Sequence, residues 1–245
     1  MRSTTKKTLQ AGFAALAGAM ALARRELALL SVLLVAAGGI WGFVEIADEV
    51  VEGEADAFDR ALYLSLRNPA DTNQPLGPSW LAEAALEITA LGSFAVLGLI
   101  VLAAIVWLLL IRKAGSALLV AISVGGGVLL SSLLKSGFAR PRPDLAPHAD
   151  VVHTLSFPSG HAMSAAVVYL TLGALLARAQ PHRRLRIYLA SVGVVVTVLV
   201  GISRVYLGVH WPTDVLAGWC VGSAWALLCW AVALWLERRS AIAAR

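Results

Sequence analysis

Six stretches of the chain are free of Asp, Glu, Lys and Arg: Leu27 to Val44, Ile88 to Ile111, Ala114 to Leu134, Ser159 to Ala177, Ile187 to Ser203 and Val215 to Leu236. A hydrocarbon core of ~30 Å takes ~20 helical residues, and backbone groups in lipid must find partners within their own segment. The runs lack the polar/apolar alternation of barrel strands, so they read as helices. The pattern predicts an all-α polytopic membrane protein with six transmembrane helices in a bundle. Glycines inside the runs, such as Gly125, Gly126 and Gly127, suit close approach between membrane helices.

Residues 1–26 precede the first run. Lys6 and Lys7, an apolar stretch from Leu9, and Ala21, Leu22 and Ala23 together imitate a cleavable signal peptide. Cleavage would invert every later helix and move the Arg178 to Arg186 cluster to the outer side, so an uncleaved interfacial helix at the inner surface is the expectation. The membrane domain then spans residues 27–245. Its outer loop, 47–87, opens with the acidic stretch Asp48 to Asp59, carries one short helix near Ala57 to Leu66, and leads through an interfacial turn, Trp80 to Glu87, into the second span. Trp41, Trp80, Trp211 and Trp235 fall near span ends, where they read as headgroup-layer anchors.

Composition agrees with the pattern. Of 245 residues, 59% are apolar and 14% charged, against ~45–50% and ~25% in soluble domains. Cys220 and Cys229 lie about 13 to 14 Å apart by helical rise, too far for a bridge, so neither a disulfide framework nor a cysteine zinc site is available.

The basic residues report orientation. With the N-terminus inside, the inner segments hold Arg2, Lys6, Lys7, Arg24, Arg25, Arg112, Lys113, Arg178, Arg183, Arg184, Arg186, Arg238, Arg239 and Arg245, against only Glu26 and Glu237. The outer segments keep 13 of the 15 acids. That distribution follows the positive-inside rule, places both termini in the cytoplasm, and makes nucleic acid an unnecessary partner.

The remaining polar residues gather at one layer. Lys135 ends the third span and Arg142 follows it; Ser159, Gly160 and His161 open the fourth; Arg204 ends the fifth; His210 and Asp214 lead into the sixth. All of these ends face outward in this topology. Basic residues at helix C-termini meet the macrodipole favourably, and that explains Lys135 or Arg204 singly. It does not explain two histidines at the same depth. A helix start at Ser159 and Gly160, together with Lys135, Arg142 and Arg204, suits a dianionic phosphate. His210 and Asp214 are four apart, so a carboxylate holding Nδ1–H would leave Nε2 free to attack phosphorus. His161 would protonate the departing oxygen and then deprotonate the attacking water. The cations would stabilise the phosphoryl charge, with no metal or cofactor needed.

Lys135, Arg142 and Pro143, then Pro158 to His161, then Ser203, Arg204, His210 and Asp214, with their spacings, resemble the three-part signature of the type 2 phosphatidic acid phosphatase family. The match covers about a third of the chain. The resemblance implies a metal-independent phosphohydrolase with a phosphohistidine at His210, His161 as acid/base and Asp214 orienting His210. It makes Lys135, Arg142, Ser159, Gly160 and Arg204 the phosphate binders. The expected protein is an inner-membrane lipid phosphate or pyrophosphate phosphatase, its site facing the periplasm. Candidate substrates are undecaprenyl pyrophosphate, first by virtue of its outer-face phosphate, phosphatidic acid, diacylglycerol pyrophosphate and phosphatidylglycerophosphate. A lipid phosphotransferase would use the same residues. An anion transporter would instead place polar residues deep in several spans. The family's soluble vanadium-dependent haloperoxidases do not fit six spans.

Arg140, Asp144, His148, Asp150 and His153 read as solvated loop residues beside the motif. Glu83 and Glu87 read as a wet helix face, His182 as surface, and Ser131 and Ser132 as helix contacts.

Overall fold

The computed structural model describes residues 2–145 and 155–243. Eight helices are found among them: α1 (Arg2–Glu52), α2 (Asp56–Ser65), α3 (Ser79–Ala90), α4 (Phe94–Leu110), α5 (Ala114–Phe138), α6 (Gly160–Arg178), α7 (Arg183–Tyr206) and α8 (Pro212–Ala243). Long apolar sequences form these helices, and many of their Leu, Ile and Val side chains point outward; Leu99, Leu118, Ile187 and Val232 are examples. Such a surface suits lipid and not water.

Five helical segments among the described residues are long and apolar enough to cross a bilayer: Glu26–Glu52 of α1, all of α5, α6 and α7, and Pro212–Glu237 of α8. The second expected span differs from its reading as one run. Its residues fall in two helices, the end of α3 and all of α4, which meet at a bend of 45°. The first helix closes at Leu91 and Ser93 starts the second, its hydroxyl accepting the Val96 N–H. Gly92 sits at the bend because a Cβ there would lie 2.4 Å from Val200 Cγ1 and 3.3 Å from His161 Cβ. The first 26 residues also differ from a separate helix: α1 runs unbroken from Arg2 to Glu52.

Helix α6 is central, packing against α4, α5, α7 and α8, while α1 lies along α8 and α3 along α7. Its inner face is small, with Ala162, Ala165 and Ala166 buried. Gly218 of α8 meets it so closely that a Cβ would stand 2.8 Å from the Ser159 carbonyl oxygen, the small-residue packing that membrane helices use in place of a hydrophobic drive.

In the outer segment, α2 falls where the sequence places a short helix. The residues after it form a two-stranded antiparallel ribbon, β1 (Arg67–Asn68) with β2 (Asp71–Pro75), where a plain loop was expected. The Asn68 side chain accepts the Ala70 N–H and so closes the turn. Trp41, Trp80 and Trp235 are exposed as anchors should be, but Trp211 is buried. It packs on Tyr63 at 5.7 Å between ring centroids, and the Arg140 guanidinium lies over it.

Candidate active site

Four chain segments bring the polar cluster together. Helix α5 ends in Ala139, whose left-handed conformation turns the chain so that Arg140 and Arg142 run back across the helix ends. Ser159 caps α6, accepting the Ala162 N–H, and its own N–H donates to the Asp214 carbonyl. Between α7 and α8, Gly208 adopts a positive φ of 79°, and the turn presents His210 just before α8 begins.

A cavity of about 420 Å³ opens on this cluster. Lys135, Arg142, Gly160, His161 and His210 form its polar end. Leu97 and Val101 of α4, Val124 and Val128 of α5, and Val167 of α6 form apolar walls that lead away from it. Val124 and Lys135 are about three turns apart on α5, so the cavity follows the helices for some 16 Å.

His210 is 1% exposed and Asp214 0%. Arg142 Nη1 lies 3.1 Å from His210 Nε2. A guanidinium only donates, so Nε2 must accept, and the ring proton belongs on Nδ1. Nδ1 in turn faces Asp214 Oδ2 at 3.3 Å and the Ser156 hydroxyl at 3.2 Å. Ser156 donates its own proton to Asp214 Oδ2, so its oxygen is free to accept from Nδ1. Asp214 Oδ2 also takes the Trp211 N–H at 2.9 Å, the backward half of a capping box. Burial, then the charges of Arg142, Arg204 and Lys135 and the nearby His161, push the His210 pKa well below its usual 6.5. The ring is neutral at pH 7 with a lone pair on the nitrogen that faces the cavity.

Arg204 and Ser159 lie behind the cavity wall and are wholly buried. Arg204 Nη1 donates to Thr89 of α3 at 3.0 Å. Lys135 Nζ donates to the Leu155 carbonyl at 2.7 Å. Gly160 leaves room beside it, for a Cβ there would stand 3.3 Å from Lys135 Cε.

Arg140 corrects the sequence reading. It is not solvated: its side chain is 9% exposed and lies between Asp59 Oδ2 at 2.8 Å and Asp214 Oδ1 at 2.9 Å. Burial alone would lower its pKa, but Asp214 and Asp59 outweigh it and raise the value. Asp59, Thr89, Ser156 and Thr213 were not singled out in the sequence either. Asp59 sits in an acidic run that reads as solvated, and one sequence carries no sign that α2 folds back onto α8. Asp144 is exposed, as expected; His148, Asp150 and His153 lie outside the described residues. Glu83, Glu87 and His182 are exposed, and Ser132 bonds to the Val128 carbonyl of its own helix.

A bundle of apolar helices with two histidines, a lysine and an arginine on one cavity defines a class, and comparison with known proteins agrees with it. Residues 116–238 match the model of the PAP2 superfamily. A phosphatidylglycerophosphatase B from Bacillus subtilis (strain 168) is 40% identical over 149 residues, 58% of this chain and 70% of that protein. An undecaprenyl-diphosphatase from Sulfolobus acidocaldarius is 44% identical over 68 residues, 28% of this chain and 29% of that protein. The crystal structure of a transmembrane PAP2-type phosphatidylglycerolphosphate phosphatase from Bacillus subtilis superposes with a TM-score of 0.71 at 31% identity, covering 80% of this chain and 94% of that one. The chain belongs to the PAP2 superfamily and is a phosphatase.

Proposed function

We propose that this protein hydrolyses a phosphate or pyrophosphate ester of a membrane lipid through a phosphohistidine on His210, without a metal ion. The observation that carries the reading is the single cavity that joins the two imidazoles, Lys135 and Arg142 to apolar walls between α4, α5 and α6. A phosphate fits the cationic end and a hydrocarbon tail fits the rest. The substrates named by the relatives, a phosphatidylglycerophosphate and undecaprenyl diphosphate, share that plan.

In the first step the Nε2 lone pair of His210 forms the N–P bond while the bond from phosphorus to the leaving oxygen breaks, and His161 gives that oxygen its proton. In the second, His161 takes a proton from water, the new P–O bond forms, and the N–P bond breaks to release phosphate. Asp214 and Ser156 hold Nδ1–H throughout and offset the charge that the ring gains. Arg142 leaves Nε2 for the phosphoryl oxygens, joined there by Lys135 and the N–H groups at the start of α6, with Arg204 adding positive field from behind. Among the described residues, Asp214 is the carboxylate facing His210, and it is taken up by Arg140, Ser156 and Trp211, which supports a reaction driven by cations. The charge distribution along the chain favours the cytoplasmic membrane, with both termini inside and the cavity mouth outside.

The experiment is incubation of the purified protein with undecaprenyl pyrophosphate, phosphatidic acid, diacylglycerol pyrophosphate and phosphatidylglycerophosphate, measuring inorganic phosphate and the lipid product. Phosphate release from at least one is expected. Release from none, or transfer of the phosphoryl group to a second lipid, overturns the reading.

A further inference from the structure

We propose that Asp59 and Arg140 are positioning residues for the reaction at His210, acting through Asp214. The inference rests on the reading above, in which Asp214 orients His210.

Asp59 comes from α2, outside the residues matched by the superfamily, yet it is wholly buried and lies against the start of α8. Its Oδ1 accepts the Thr213 N–H at 2.9 Å, one of the donors that a helix start leaves without an intrahelical partner. Its Oδ2 accepts from Arg140 Nη2 at 2.8 Å and from the Thr213 hydroxyl at 2.5 Å. The other nitrogen of the Arg140 fork, Nη1, donates to the Thr213 hydroxyl at 2.8 Å and to Asp214 Oδ1 at 2.9 Å. Asp59, Arg140 and Thr213 close a ring, and Asp214, the carboxylate that faces His210 Nδ1, is tied to it through Arg140.

The chemistry of this ring favours one outcome. A carboxylate buried without a cation sheds its charge by taking a proton, and a protonated Asp214 is a poor acceptor for Nδ1–H. Arg140 supplies the cation that a buried Asp214 carboxylate needs as a partner. Its planar fork also fixes where Oδ1 sits, and hence where Oδ2 meets the imidazole. Asp59 holds the far side of the same fork, so the guanidinium has one orientation and does not collapse onto Asp214 alone. None of the atoms in the ring touches the cavity, so the pair acts on the nucleophile and not on the phosphate.

Steady-state hydrolysis by the full chain in detergent tests this, using whichever of the four lipids the wild type turns over. Asp59→Asn keeps the volume and an acceptor for the Thr213 N–H but loses the charge. It should lower kcat about 10-fold, and Arg140→Gln about 100-fold, by analogy with the loss of outer-shell groups that orient metal ligands. KM should stay within about 2-fold in both, as for interactions made only in the transition state. Arg140→Lys should recover part of the loss. The double variant Asp59→Asn/Arg140→Gln should be no slower than Arg140→Gln alone, since both act through one carboxylate. Glu54→Gln, on the exposed turn before α2, should match the wild type. Multiplying effects in the double variant, a raised KM at unchanged kcat, or wild-type rates in Asp59→Asn each overturn the proposal. If Arg140→Gln does not fold, Asp59→Asn decides the matter through its kcat and KM. A wild type that releases phosphate from no lipid sinks the phosphatase reading and takes this inference with it; an active wild type with unaffected variants sinks the inference alone.

Discussion

Arg142 fixes the protonation of His210 by a simple inventory: it has donors only, so Nε2 accepts and Nδ1 carries the hydrogen. His210→Ala should abolish phosphate release while the protein still purifies as a folded species in detergent. Asp214→Asn should slow turnover severely, about 10⁴-fold if it behaves as the orienting carboxylate of a hydrolase triad does. Burial and the four neighbouring groups depress the His210 pKa, so the ring stays neutral as pH falls through 6.5. The acid limb of kcat/KM, which reports the free enzyme, should therefore lie below pH 6.5; a limb above 6.5 in a pH–rate profile would contradict the environment described. Much of this was legible in the sequence. Lys135, Arg142, Gly160, His161 and His210 line one cavity, as their spacing at successive helix ends suggests. Arg140 was not legible, because its partners stand 81 and 74 residues away and a lone arginine in a loop looks the same whether wet or buried.

At the level of elements, the apolar runs locate the helices well because lipid enforces the pattern along the whole length of a span. The breaks are harder to read. Gly92 and Ser93 lie inside an uncharged run, and nothing in hydropathy distinguishes a straight 24-residue helix from α3 and α4 bent at that point. The bend has a cause in packing: Gly92 passes between Val200 and His161. Gly92→Val should overpack that crossing, at a cost of about 1–3 kcal/mol. A lowered melting midpoint in detergent together with reduced kcat is the expected result, since His161 is one of the displaced neighbours. The reverse error occurs at the other end of the chain, where Arg24, Arg25 and Glu26 suggest a boundary that α1 crosses without interruption.

For the molecule as a whole, the charge asymmetry predicts which end of the bundle faces out. In a chain with Cys220 and Cys229 replaced by serine, a cysteine introduced at Asp71 should react with a membrane-impermeant maleimide added to intact cells, and one at Arg184 should not. The opposite pattern would place the cavity mouth in the cytoplasm. If the proposed metal-free reaction holds, EDTA should leave turnover unchanged and vanadate should inhibit it.

The walls of the cavity are unequal in their support. The α6 side is braced from behind by α8, which packs closely against it and is tied to α2 through Asp59, whereas α4 stands at the rim of the bundle with valine and leucine facing the hollow. On the proposed reading, chemistry and selectivity draw on different parts of the scaffold. Bulk added on α4, at Leu97 or Val101, should re-rank the lipids by kcat/KM while leaving vanadate affinity where it was. A fold arranged this way lets evolution exchange one greasy cargo for another by editing a single peripheral helix, with the reacting atoms undisturbed.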